Sequence, residues 1–230
     1  MQPGMDSALV RIGVFVAMLA SFTVHEAAHA WAADRLGDRT PRRLGRLCWS
    51  PRVHLDPVWS LLVPGLLWFL GPGWILGGAR PMPLQVERLR GGWRGLALAA
   101  LAGPLAQALF GLGALLLLAL LLGLGLYGPE SAGSGVLVQV LFWSLFLAFL
   151  QLLPVPPLDG SRWLPAVLPE GLREAFLRHQ AWGFILVLVL MLPLGGFRIL
   201  AEDLVAPCAR WLAHAAGAGA AWTAWLETLQ

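Results

Sequence analysis

The sequence predicts an all-α polytopic membrane protein of about four to six transmembrane helices with one re-entrant segment. Composition is the first ground: hydrophobic residues make up 58% and charged residues 13%, against roughly 45–50% and about 25% in soluble domains. The second is a mean hydropathy of +0.70 carried by apolar runs as long as the ~20 residues a bilayer requires. The third is the concentration of most Arg in the loops between those runs, where it sets orientation. A cytosolic enzyme, a secreted disulfide scaffold and a disordered tail are excluded. All 16 basic residues are Arg, and the chain has neither Lys nor Asn. The two absences read as the coding bias of a GC-rich genome, so the net charge of +3 carries no nucleic-acid signal and no nucleic-acid partner is expected. Cys48 and Cys208 lack metal-type spacing.

The first span is expected at residues 7–33, closed by Asp34 and Arg35 and showing no cleavable signal. Arg39, Arg42, Arg43, Arg46 and Arg52 follow, placing this loop in the cytoplasm and the N-terminus outside. The apolar stretch 58–78 is cut by Pro64-Gly65 and Gly71-Pro72-Gly73. Arg80, Arg88, Arg90 and Arg94 come next, and two cytoplasmic clusters cannot flank a single crossing, so the stretch is read as re-entrant. Residues 95–126 cross outward, with a kink at Gly103-Pro104. The connector 127–135 carries Glu130 and no Arg, and 136–153 returns. Arg162, Arg173 and Arg178 put the loop 161–179 inside again. A further span is expected at 181–200. The domain reading is a membrane-embedded core at 1–203 and an interfacial or extra-span helix at 204–230. Most of the 12 Trp residues lie near predicted span ends and read as headgroup-level anchors.

Within the first span stands His25-Glu26-Ala27-Ala28-His29. Positions i and i+4 share a helix face, so both imidazoles converge on one point, as a tetrahedral zinc ion requires. Glu26, beside the first ligand, can take the proton of a water in the metal's open position. Three ionisable groups within five residues are costly in lipid and mark function there. Asp159 leads as third ligand. It closes Pro154-Val155-Pro156-Pro157-Leu158, where the prolines forbid a continuous helix and imply a protein-lined or water-filled cavity. A metal-binding membrane carrier would also use broken helices and acids at depth, and a proteolytically inactive relative would keep the same groups. Glu26 directly beside a ligand is what hydrolysis needs and transport does not.

Four segments together resemble the site-2 protease family of intramembrane zinc metalloproteases, in its compact bacterial form. They are Phe22 to Ala30 around the His-Glu-x-x-His pattern, His54-Leu55-Asp56-Pro57, Ala102-Gly103-Pro104-Leu105, and Leu152 to Gly160. The resemblance covers about residues 15–165. It implies Zn2+ held by His25, His29 and Asp159, with Glu26 as general base and acid and a transmembrane helix of another protein as substrate. It further implies a multi-pass protein of the bacterial inner membrane, open to regulation by a membrane partner. The family has Asn where this chain has Gln107 and Gln151. Both keep the amide, so a role in holding the substrate backbone or the oxyanion carries over. His54 recurs in compact members and would order the loop or support the metal. The short, partly alternating stretch 44–55 resembles a membrane-dipping β element whose edge would hold an unwound substrate.

Overall fold

The computed structural model describes residues 7–69, 77–179, 182–191 and 194–229. Among the described residues, three helices are long and apolar enough to cross a membrane: α1 (Ala8–Arg35), α5 (Trp93–Gly123) and α6 (Ala132–Leu152). Between the first two lie α2 (Thr40–Arg43), α3 (Pro51–His54), a π-helical turn Pro57–Leu62 and α4 (Val63–Phe69). After α6 come α7 (Gly160–Trp163), α8 (Glu170–Arg178), α9 (Gly183–Met191), α10 (Gly196–Arg198), α11 (Ala206–Ala215) and α12 (Gly219–Glu227). A fourth crossing would require Ile185–Met191 and Gly196–Ala215 to act together across a 72° bend. Of the span expected at 181–200, residues 181, 192 and 193 lie outside the described residues.

The three long helices pack against one another, and their sequences show why. The side of α1 turned to its neighbours carries Val10, Val14, Met18, Phe22, His25, His29 and Ala33 at three- and four-residue intervals, all buried. The two histidines therefore continue the stripe that forms the core. On α5 the matching ridge is Gly95, Ala99, Gly103, Gln107, Gly111 and Leu115, a four-residue repeat dominated by small residues. Small residues let helix backbones approach, which is how packing replaces the absent hydrophobic drive inside a bilayer. At Gly111 a Cβ would come within 2.8 Å of Ser144 Cβ on α6. Helix α6 is buried over most of its circumference and forms the centre of the bundle.

In the stretch read as re-entrant, the described residues on either side of 70–76 lie together. Asp56 caps the helical run from Pro57, its carboxylate accepting from the Val58 and Trp59 amides at 2.9 Å each. The run ascends beside α1 until Trp68 Nε1 donates to the Arg11 carbonyl at 2.8 Å. At the far side of the segment, Gly78 N donates to Trp59 O at 2.9 Å and Ser60 Oγ donates to Gly78 O at 2.6 Å. Both ends of the segment thus meet at one level, while residues 70–76 lie outside the described residues.

Two expectations are corrected. Residues 44–55 form no strand: Gly45 turns the chain at φ +66° and Pro51 starts the short helix α3. Prolines and a left-handed glycine leave too few consecutive residues for ladder pairing, and the described residues contain no strand anywhere. The tryptophans divide as well. Trp31, Trp49, Trp59, Trp182 and Trp211 are exposed, but Trp68, Trp143, Trp222 and Trp225 are buried. Trp143 lies edge-on to Trp68 at 6.0 Å, and Phe142 links to Trp222 and Trp225. Through these rings α12 packs on α6 and shares the main core with α1 and α5.

Candidate metal centre

Helix α1 delivers His25 and His29 to one point, their rings 4.7 Å apart and nearly perpendicular. Asp159 arrives from the proline loop after α6. Gly160 makes that approach feasible, since a Cβ there would fall on the carbonyls of Leu152 and Leu153. The loop then closes on itself through Ser161 Oγ donating to Leu158 O at 2.7 Å and Arg162 N donating to Asp159 O at 2.9 Å. The outcome is a triangle of ligand atoms. Asp159 Oδ2 lies 2.9 Å from Nε2 of each histidine, and the two Nε2 atoms are 3.1 Å apart. All three residues are buried.

This triangle fits a metal. His29 Nδ1 stands 2.7 Å from the Ala99 carbonyl, which only accepts, so the proton of the neutral ring lies on Nδ1 and Nε2 turns a lone pair inward. Electron-rich atoms held at 2.9–3.1 Å need a positive charge among them. A tetrahedral zinc with bonds of about 2.0–2.1 Å sets its ligands only slightly farther apart, about 3.3 Å. Space is reserved for it on the α5 side as well: a Cβ at Gly103 would fall on His29 Nε2 and crowd His25 Cε1. Glu26 is buried beside the group, and its Oε2 has no protein partner among the described residues.

The remaining predicted residues separate. Gln151 reaches the centre, its Oε1 accepting from the Asp159 amide at 3.4 Å. Gln107, one turn beyond Gly103, donates to Ser21 Oγ at 3.1 Å, one turn before His25. His54 is not brought to the triangle. It is fully buried, with Nε2 2.9 Å from the Cys48 carbonyl, and its own carbonyl accepts from Arg80 N at 2.7 Å, so it ties the two Arg-rich loops together. Arg46 reinforces the same junction by donating to the Arg80 and Pro81 carbonyls at 3.0 and 2.9 Å. Burial lowers its guanidinium pKa, with the nearby Glu26 charge opposing. Three contributors went unnoticed in the sequence. The Ala99 carbonyl and the space at Gly103 leave no side-chain signal. Arg162, whose Nη1 donates to Asp159 Oδ1 at 3.1 Å, is visible only as an Asp-x-x-Arg spacing.

Known proteins bear on this geometry directly. "Putative zinc metalloprotease YwhC" of Bacillus subtilis is 33% identical over 186 residues, covering 79% of this chain and 81% of the relative. The chain belongs to the site-2 protease family. Two relatives named "Putative zinc metalloprotease Rip2" agree. That of Mycolicibacterium smegmatis is 34% identical over 79% of this chain and 68% of its own length. That of Mycobacterium tuberculosis is 34% identical over 82% and 72%. No family model and no solved structure matches. As a site-2 protease the chain is a zinc metalloprotease with Zn2+ as its cofactor, and its three apolar helices fit a membrane protein.

Proposed function

We propose that this site-2 protease hydrolyses a peptide bond within a transmembrane helix of another membrane protein, in the bacterial inner membrane. The observation that carries the reading is the buried triangle of His25, His29 and Asp159 with Glu26 beside it, inside a helix apolar enough to span a bilayer. His25, His29 and Asp159 would hold Zn2+, and Glu26 would be the catalytic residue. Bound zinc polarises the scissile carbonyl and lowers the pKa of a water toward ~7.

Glu26 takes the proton of the attacking water as the C–O bond forms, then returns it to the leaving nitrogen as the C–N bond breaks. Its unpartnered Oε2 is free for that exchange. Gln151, whose oxygen is engaged by the Asp159 amide, has its nitrogen left to donate to the substrate backbone or the developing oxyanion, while Gln107, buried and donating to Ser21, would act by holding α5 against α1 behind the site. His54 acts through the loop it orders. A cavity of about 370 Å³ lies beside the ligand loop, between Pro154, Val155 and Pro156 on one side and Phe176, Trp182 and Leu186 on the other. The substrate is a single-span protein, and the bilayer is the second partner. Residues 1–203 carry the chemistry, with 204–230 as a helical segment buttressing α6.

Glu26→Gln tests this. The expected result is a full complement of zinc with proteolysis reduced by roughly 10²–10⁴-fold against a single-span substrate in liposomes. Retained cleavage would remove Glu26 from its role, and joint loss of zinc would make it a ligand instead.

A further inference from the structure

We propose that Arg162 is a positioning residue that restricts Asp159 to one oxygen at the metal centre; this rests on His25, His29 and Asp159 being the ligand set. A carboxylate free to turn about its terminal bond can offer both oxygens to a cation, and the second would occupy the position that hydrolysis needs open. Here the two oxygens have different partners. Oδ2 faces both histidines at 2.9 Å, while Oδ1 receives Arg162 Nη1 at 3.1 Å.

The local chain fixes this division. Arg162 follows Asp159 by three residues on the first turn of α7, and its amide donates to the Asp159 carbonyl at 2.9 Å. Gly160, pressed on the carbonyls of Leu152 and Leu153, keeps the turn from sliding along α6. The Arg162 side chain is 28% exposed and that of Asp159 9%, so the pair is shielded from the screening that weakens surface ion pairs. A guanidinium is always charged and presents its donors in a rigid plane, which suits it to hold one oxygen while the other stays directed elsewhere. It also draws negative charge from the carboxylate, leaving a metal on Oδ2 the stronger electrophile. Arg162 itself need not touch substrate.

The test uses the full chain in detergent, stripped of metal and reloaded with Co2+, whose visible absorption weakens as coordination rises above four. Arg162→Gln and Arg162→Met are expected to bind one metal per chain with weaker absorption than wild type. Proteolysis should fall by roughly 10–100-fold, and Arg162→Lys should recover part of both. A wild-type spectrum in both neutral variants overturns the proposal. So does failure of both to fold, because the role lies at the ligand and not in the scaffold. A wild-type chain that takes up neither Co2+ nor Zn2+ would instead overturn the ligand assignment itself, which separates the two.

Discussion

At Gly103 one methyl group decides whether two imidazoles keep their places, because a Cβ there falls on His29 Nε2. Gly103→Ala is expected to lose most of its zinc while the helices remain folded, read by elemental analysis beside circular dichroism. Asp159→Ala should also lower zinc occupancy, with activity falling in parallel; full zinc in that variant would remove Asp159 from the ligand set. His25 and His29 could be picked out because helical spacing aligns positions i and i+4, Glu26 because it adjoins the first of them, and Asp159 because the proline break ahead of it has no structural excuse in lipid. Ala99 was not, since it acts through a main-chain carbonyl that every residue owns. Nor was Gly103, whose contribution is empty space facing a helix distant in sequence. Arg162 announces itself only once Asp159 has been given a task.

The helical run from Pro57 depends on Asp56. The Trp59 and Val58 amides donate to its carboxylate and lower its pKa below the usual aspartate value. A folded-state pKa below the unfolded one means the stabilisation is complete above the unfolded value and is lost as pH falls through the folded one. The protection of the Val58 and Trp59 amides, measured as exchange relative to the pH-dependent intrinsic rate, should therefore hold at neutral pH and fall only in acid below the ordinary aspartate range, whereas Asp56→Ala should show low protection throughout. The contacts of Gly78 with Trp59 and Ser60 are in keeping with the return expected from Pro64-Gly65 and the paired Arg clusters, and labelling tests it. Single-Cys labelling in a background lacking Cys48 and Cys208 is expected to reach loops 35–57 and 79–94 from the same side of sealed vesicles; opposite sides would turn 58–78 into a crossing. The β expectation at 44–55 failed because alternation over so few residues competes poorly with Gly45 and Pro51. The tryptophans misled because sequence alone does not show whether a ring faces headgroups or, like Trp143 and Trp222, packs buried against other rings.

For the molecule as a whole, the positive-inside rule applied to the Arg-rich loops predicts that the triangle lies toward the cytoplasmic end of α1, His29 being six residues, or about 9 Å at the helical rise, from Arg35. Cleavage is expected in the cytoplasmic half of the substrate span, assigned by mass spectrometry of the fragments; a cut in the outer half would mean that the orientation or the site is wrong. A helix-weakening Gly or Pro near that bond should speed cleavage where unwinding limits the rate. The three long helices correspond to the spans expected from apolar length at 7–33, 95–126 and 136–153, whereas the expected total of four to six rests on further segments; the order in which the core closes was not readable at all. Trp68, on α4, is held by the Arg11 carbonyl and by Trp143, one early in the chain and the other on α6. During synthesis the N-terminal contact is available at once and the α6 contact only after α5 and much of α6 have left the ribosome. Nascent chains halted before α6 should accordingly show the 57–69 region open to protease, and those extended past Leu152 should show it protected, making this small segment a reporter of when the enzyme becomes whole.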